Sequence, residues 1–392
     1  MVRYFNPDSN FDRILTTKTM RSFIFFLVVG FQITGYGQQA FVSDADRIIE
    51  FPDIPGYKTL KCDFHQHTVF SDGSVWPNIR VQEAIKDGLD AISITDHIEY
   101  QPHKADIPHP DRNRSYEVAL EAVEGHDLII INGSEITRDM PPGHSNAIFL
   151  EDVNRLNVKD SIEAYREAKK QGAFIFWNHP HWTAQQKTGM ATLTETHKML
   201  IEQGLLDGIE VVNDVTYSDE ALQIALDHDL AILGTSDIHG LIDWQYGIPR
   251  GGHRPVTLVF AKEKSKEGIR EALNQRRTAA WFNNLIIGKE AHVKPLIMES
   301  LKVTKAAYRS ESSVLELEIQ NLSDAEYLLE NLSSYTLHDH ANVIAVKPHK
   351  RTTLLVKTVK IMEEVKLPFR VLNVVTAPKT NPNITLSVKV QG

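Results

Sequence analysis

The sequence contains one cysteine, no run of about 20 apolar residues and no surplus of positive charge. The single cysteine, Cys62, excludes an intramolecular disulfide and a cysteine-based zinc site. Lysine and arginine number 42 against 51 aspartate and glutamate, so the formal net charge is -9. Binding of nucleic acid through bulk charge is therefore not expected. An acidic protein that handles anionic substrates needs local positive charge, which bound metal ions would supply.

An apolar run near the amino terminus has the order of a secretory signal. The run, residues 23–31, follows the basic residues Lys18 and Arg21 and precedes Gly37. It is shorter than the roughly 20 residues that a membrane-spanning helix needs. We expect residues 1–39 to be an extension and signal peptide cleaved near Gly37. The mature protein would then be secreted or periplasmic, without an integral membrane span; an uncleaved anchor is the alternative interpretation.

Between residues 58 and 260, short β-rich apolar runs alternate with amphipathic stretches, which is typical of successive βα units. These runs predict an α/β barrel of parallel strands within a domain at residues 40–290. From residue 295 to residue 392 the pattern changes to short alternating or β-branched segments with no helical period, which predicts a small β-sandwich. The predicted barrel strands are residues 60–64, 91–95, 128–132, 145–150, 173–177, 208–212, 231–234 and 256–260.

Residue types that bind metals follow the barrel strands at their ends. In an extended backbone His65 and His67 face the same side, so the two imidazoles can hold one ion together. The carboxyl ends of parallel barrel strands open on one rim, where residues far apart in sequence meet. So many imidazoles and carboxylates in one place would repel one another or lack partners unless they held metal. The nine candidate ligands are His65, His67, Asp72, His97, Glu135, His144, His179, Asp237 and His239.

The order of these motifs is specific to a known family. H-x-H-T-x-x-S-D-G, T-D-H, G-x-E, G-H-x-N, N-H-P and S-D-x-H follow one another over about residues 60–260. This series resembles the PHP (polymerase and histidinol phosphatase) family, and the following domain is similar to the β-sandwich of secreted PHP phosphodiesterases. The resemblance implies a distorted (β/α)7 barrel with three divalent metal ions. It assigns the first ion to His65, His67, Glu135 and Asp237, the second to Glu135, His144 and His179, and the third to Asp72, His97 and His239.

The expected function is hydrolysis of phosphate esters by a metal-bound hydroxide, since bound metal lowers the pKa of water towards about 7. Mixed imidazole and carboxylate ligands favour Zn, Mn or Fe over Mg. The substrate would be a small phosphate ester, and the enzyme a phosphodiesterase, a phosphotriesterase or a phosphatase. The resemblance favours the diesterase.

Three further residues are candidates for catalysis. Asp96, next to a predicted ligand, would orient an imidazole or simply bond at a strand end. Arg250 would grip a substrate phosphate or be a solvated loop charge, and His181 would protonate a leaving alkoxide. Trp182 and Trp244 would line a pocket for an organic leaving group or serve only in packing.

Two other classes of function stay open from the sequence. One is an amidohydrolase-like hydrolase of C–N or C–O bonds, although that family bridges its metals with a carboxylated lysine, where Glu135 stands here. The other is a non-catalytic binding protein in which metal only stabilises the scaffold.

Overall fold

The structure is a computed structural model that describes residues 47–390, so the predicted signal segment at residues 20–37 lies outside the described residues. Within residues 47–390, no helix is both long and apolar enough to span a bilayer. The helices are α1 (Pro77–Lys86), α2 (Arg114–Ala122), α3 (Ser161–Lys170), α4 (Glu195–Glu202), α5 (Asp219–Asp227), α6 (Ile242–Gln245), α7 (Lys266–Asn274) and α8 (Glu290–Ser300), with 3-10 turns at Val153–Leu156 and Ile248–Arg250.

The first eleven strands form most of the amino-terminal domain. They are β1 (Lys58–Asp63), β2 (Ala91–Ile94), β3 (Ile129–Ile136), β4 (Ser145–Ile148), β5 (Phe174–Trp177), β6 (Gly208–Asn213), β7 (Thr216–Tyr217), β8 (Ala231–Thr235), β9 (Val256–Ala261), β10 (Thr278–Phe282) and β11 (Leu285–Gly288). Strands β2, β4, β5, β6, β8 and β9 are buried along their whole length, as strands covered on both faces are.

The remaining strands belong to the carboxyl-terminal domain or link it to the first. They are β12 (Leu301–Tyr308), β13 (Val314–Asn321), β14 (Tyr327–Asn331), β15 (Thr336–Leu337), β16 (Val343–Val346), β17 (Arg351–Lys357), β18 (Glu364–Val371), β19 (Val374–Val375) and β20 (Asn383–Lys389).

The large sheet runs in the order β19-β11-β10-β9-β1-β2-β3-β4-β5-β6-β7, with β8 paired to β6. The predicted α/β barrel is confirmed, but the expectation that all of its strands are parallel is wrong. Strand β4 is antiparallel to both β3 and β5, and β9 is antiparallel to β1. Residues 137–144, between β3 and β4, contain no helix, and a parallel pair needs a crossover of about a dozen residues or more. The chain therefore returns as a hairpin at this point.

The segments that follow β1 and β8 meet at the rim that carries the predicted ligands. Beyond β1 and β8 the backbone pairs once more, at a parallel bridge between Gln66 and Ile238. The N–H of His67 donates to the carbonyl of Ile238 at 3.0 Å, and the N–H of Asp237 donates to the carbonyl of His65 at 2.9 Å. Two segments that are about 170 residues apart in the sequence thus lie side by side.

The predicted β-sandwich is also confirmed. Two four-stranded sheets, β12-β13-β17-β15 and β16-β14-β18-β20, pack through the alternating buried residues of their strands. Strand β19 adds to the barrel sheet in parallel with β11, and the Asn373 side chain donates to the carbonyl of Asn284 at 2.8 Å. One apolar core runs from Trp281 and Ile286 of the barrel to Leu317 and Phe369 of the sandwich, so the two domains form one packed body.

His197 on α4 supports the loop that leads to the predicted ligand His144. Its Nε2–H donates to the carbonyl of Pro142 at 2.7 Å, and its ring stacks on Trp177 with centroids 3.8 Å apart. Its Nδ1 accepts from the backbone N–H of Thr194 at the start of the helix. Burial lowers the pKa of His197 to about 4.

We predict that His197 makes stability depend on pH. Its pKa in the folded protein is below the unfolded value of about 6.5, so its stabilising contribution is complete above pH 6.5 and is lost as the pH falls towards 4. The difference in free energy of unfolding between wild type and His197→Gln should shrink by about 1.4 kcal/mol per pH unit in this window. Chemical denaturation at several pH values measures it. His126→Gln, at an exposed position, is the control; parallel pH profiles of wild type and His197→Gln would contradict the prediction.

Candidate metal centre

Four predicted ligands surround one point at the closed rim. His65 Nε2 lies 3.0 Å from His67 Nε2, 3.2 Å from Glu135 Oε2 and 3.1 Å from Asp237 Oδ1. His67 Nε2 lies 3.2 Å and 3.1 Å from the same two oxygens. Ligands about 2.0–2.1 Å from a tetrahedral ion are about 3.4 Å apart. The spacing of His65 Nε2, His67 Nε2 and Glu135 Oε2 therefore fits a single small divalent ion, and Asp237 Oδ1 adjoins both imidazole nitrogens.

The other oxygen of Glu135 faces a second group. Glu135 Oε1 lies 2.6 Å from His144 Nδ1 and 3.6 Å from His179 Nε2. His97 Nδ1 approaches the first oxygen of the same carboxylate, Glu135 Oε2, at 3.2 Å. The two oxygens of Glu135 thus face two different groups of imidazoles.

Asp72 is at the centre of a third group. Its Oδ1 lies 3.2 Å from His239 Nε2, 3.4 Å from His97 Nε2 and 3.6 Å from His67 Nδ1. His67 thus presents one ring nitrogen to the first group and the other to the third, which the sequence did not predict. The structure brings all nine predicted ligands into these three overlapping groups.

The donor atoms fit metal ions. Asp72 Oδ1, Glu135 Oε1 and His144 Nδ1 are buried, and within the described part of the chain their close contacts, such as the 2.6 Å between Glu135 Oε1 and His144 Nδ1, lack the geometry of a hydrogen bond. Buried polar atoms are nearly always paired in folded proteins. Oxygen and imidazole nitrogen donors together suit Zn, Mn or Fe.

The charges in the centre are strongly coupled. Burial alone would raise the pKa values of Glu135 and Asp237, but the surrounding imidazoles outweigh it and hold the pKa of both carboxyls well below the usual range. Burial alone would lower the pKa of His97, but Glu135 and Asp72 outweigh it and raise this pKa to about 9. The protein without metal therefore stabilises protonated imidazoles, and metal binding would release those protons.

Two of the ligands sit on strained backbone. His179 has φ 29° and Asp237 has φ 49°, conformations that cost on the order of 1–3 kcal/mol in a residue other than glycine. Both N–H groups are tied down, the one of Asp237 by the carbonyl of His65 and the one of His179 by Glu210 Oε2 at 2.6 Å. The surrounding structure thus fixes the directions of both side chains.

Glu210 was missed by the sequence analysis. It is fully buried on β6, and its Oε1 accepts from His65 Nδ1 at 2.7 Å and from Thr235 Oγ1 at 2.6 Å. Its Oε2 accepts from the backbone of His179 and from Asn213 Nδ2 at 2.8 Å. Glu210 thus orients one predicted ligand through its ring and another through its backbone. The one signal in the sequence is a lone carboxylate inside the apolar strand GIEVVN.

Arg80 on α1 holds together the segments that follow β1 and β8, which carry predicted ligands. Its buried guanidinium donates to the carbonyls of His67 at 2.9 Å, Ile238 at 3.1 Å and Gly240 at 2.7 Å. The sequence alone does not indicate this contact, because the three carbonyls belong to two segments that are far apart in the sequence.

Asp96, predicted as a possible catalytic residue, lies behind the ligands. Its carboxylate accepts from Thr68 N–H, Thr68 Oγ1 and Ser71 Oγ, each at 2.7 Å. Ser71 Oγ is 3.3 Å from His67 Nδ1, so Asp96 acts on that imidazole through a hydroxyl and the loop.

A cavity of about 540 Å³ opens above the ligands. His181 lines it, with Nε2 2.6 Å from Thr216 Oγ1, and so does Trp182, whose ring centre lies 5.1 Å from that of His179. The structure does not bring Arg250 or Trp244 to this cavity, because both side chains are exposed on the segment after β8. The lining residues are Asp72, His97, Glu135, His144, His179, His181, Trp182, Thr183, Gly189, Asn213, Asp214, Thr216, Asp237, His239 and Gln245.

Two known domain families match the chain. The PHP domain matches residues 63–227, and an Ig-like domain matches residues 301–387. The first match ends before Asp237 and His239, which the fold brings back to the same rim. The crystal structure of a two-domain protein from Bacteroides vulgatus, containing a predicted PHP-like metal-dependent phosphoesterase, is similar at 46% identity and a TM-score of 0.81. The similarity covers 87% of this chain and 98% of that one.

A curated relative is an uncharacterised protein from Methanocaldococcus jannaschii, 36% identical over 154 residues. These residues are 38% of this chain, which spans 60% of the length of that relative.

We predict that Glu210→Gln weakens metal binding by about tenfold to a hundredfold, as expected when a carboxylate that orients a ligand imidazole is removed. Metal retained against a competing chelator, measured by mass spectrometry, reports the affinity. Glu121→Gln is the matched control, since the Glu121 side chain is 68% exposed on α2. Thermal unfolding of the metal-free variants checks folding; equal metal retention by wild type and a folded Glu210→Gln variant would rule out the orienting role.

Proposed function

Because the chain belongs to the PHP family, we propose that it hydrolyses small phosphate esters, phosphodiesters first, at a centre of three divalent ions. The observation that carries the proposal is the set of three overlapping ligand groups beneath one open cavity. The cavity is within the size range of small-molecule sites and large enough for more than a phosphate group.

The proposed ligand sets follow the three groups. His65, His67, Glu135 and Asp237 would hold the first ion; Glu135, His144 and His179 the second; and Asp72, His97 and His239 the third. Zn, Mn or Fe suits these donors. When bound, such ions would activate water near neutral pH and offset negative charge developing at phosphorus.

The chain's own residues would orient the predicted metal ligands and protonate the leaving group. Glu210 and Arg80 keep the ligand segments in place, so the ligand atoms need no rearrangement on binding. His181 lies on the cavity wall beside Trp182, within reach of a group bound over the ligands. We assign to His181 the transfer of a proton to the leaving oxygen.

The test of the proposed function is hydrolysis of nitrophenyl mono-, di- and triesters by the purified protein, with metal content measured in parallel. We expect about three ions per chain, preferential turnover of the diester and loss of turnover with chelator. Asp237→Ala and His65→Ala should each lower turnover by on the order of a thousandfold, since metal ions contribute several kcal/mol to such reactions.

Other outcomes of this experiment separate the alternatives. A lactone and an amide are added to the substrate series, and their turnover in place of the phosphate esters would favour the amidohydrolase-like interpretation. Full metal content without turnover of any ester would contradict the proposal and favour a metal-stabilised binding protein.

The role of His181 has its own prediction. A nitrophenolate leaves without a proton, whereas an alkoxide needs one, so His181→Gln should lower kcat on a benzyl diester by about a hundredfold and on the nitrophenyl diester much less. Steady-state kinetics on the two esters, which share the other arm, measures the difference. His126→Gln, far from the cavity lining, should change neither. Equal losses on both esters would exclude proton transfer by His181.

A further inference from the structure

Resting on the proposed function, we infer that Asp214 sets the charge preference of the cavity, so that the preferred substrate is a phosphodiester with an ammonium group on one ester arm.

The cavity wall lacks fixed positive charge. Among the described residues that line it there is no lysine or arginine. A phosphate group would therefore be neutralised by the metal ions alone, and no basic side chain favours the second charge of a monoester dianion. The wall instead carries a carboxylate beyond the ligand groups, that of Asp214.

Asp214 is held rigidly. It lies in the tight turn between β6 and β7 with φ 50°, and its N–H donates to the carbonyl of Thr235 at 3.1 Å. Its Oδ1 accepts from Gln245 Nε2, a neighbour in the cavity lining, and from the Tyr246 hydroxyl at 3.2 Å. Within the described part of the chain, Asp214 has no ion pair with a lysine or arginine, and no hydrogen bond reaches its Oδ2. One carboxylate oxygen is thus left for a ligand.

The turn alone does not explain a charge at this position. Aspartate and asparagine both tolerate left-handed backbone, and the amide of asparagine would accept the same bond from Gln245. The negative charge of Asp214 is therefore free to serve another purpose. Removing it by Asp214→Asn leaves the turn chemistry intact.

The cavity would combine positive charge from the bound ions with the negative charge of Asp214, which favours a substrate that carries one negative and one positive group. The ions would attract the phosphate, while Asp214, which lines the same cavity but belongs to none of the ligand groups, attracts a cation on an ester arm. Trp182, 45% exposed and lining the same cavity, offers an aromatic face, which binds ammonium groups well. An anionic ester arm would instead meet the Asp214 carboxylate.

Three p-nitrophenyl phosphodiesters test the inference, with choline, 3,3-dimethylbutanol or glycolate as the second arm. The first two arms have the same shape and differ by one positive charge. For the metal-loaded wild type we expect kcat/KM on the choline ester to exceed that on its neutral isostere by about tenfold, mainly through KM. The glycolate ester should be the poorest, and added salt should narrow the differences.

Asp214→Asn should bring the choline and dimethylbutyl esters to nearly equal kcat/KM. Metal content and thermal unfolding of the variant, compared with those of the wild type, check that it is folded and loaded. Asp229→Asn is the matched control, because Asp229 also has φ 50° but is exposed and outside the cavity lining. It should keep the preference of the wild type.

The outcomes separate this inference from the function on which it rests. If the wild type hydrolyses all three diesters equally, or if Asp214→Asn keeps the preference for choline, the inference is wrong and the proposed function stands. If no diester is hydrolysed by the metal-loaded protein, the proposed function fails and the inference with it.

Discussion

The centre depends on one fully buried carboxylate, that of Glu135. Its Oε2 faces His65, His67 and His97, and its Oε1 faces His144 and His179. A buried charge of this kind is stable only when opposite charge surrounds it, because transfer from water costs several kcal/mol. Protons on the imidazoles or divalent ions between them supply that charge. Five imidazoles, carried by the segments next to β1, β2, β4 and β5, therefore converge on the same carboxylate.

Residues outside the predicted ligand set hold the predicted ligands in position around this carboxylate. Asp237 and His179 have left-handed backbone, and their N–H groups donate to the carbonyl of His65 and the carboxylate of Glu210. Arg80 ties the segments after β1 and β8 together through their carbonyls. These contacts join segments that are far apart in the sequence. The positions of these predicted ligands therefore depend on the rim as a whole more than on their own loops.

The sequence predicts the strands closely, because buried strands appear as short apolar runs. Strand β2, predicted at residues 91–95, is found at Ala91–Ile94. The same reasoning misses the antiparallel course of β4, since a strand has the same apolar pattern in either direction. It also misses Glu210 and Arg80, whose partners are fixed only by tertiary contacts. Arg250 is the opposite case, because its charge is evident in the sequence, but nothing local reveals that it is not among the residues that line the cavity.

The net charge of the chain affects which substrates approach the cavity readily. With a formal charge of -9, three divalent ions would leave the protein still negative. Such a surface slows the approach of anions, and a monoester dianion is repelled more than a diester monoanion. A phosphodiester with an ammonium arm has no net charge, so the surface does not oppose its approach. Within the cavity its two charges separate again, the phosphate over the ligand groups and the ammonium towards Asp214. The bulk charge, the absence of basic residues from the lining and the carboxylate of Asp214 thus favour the same class of substrate.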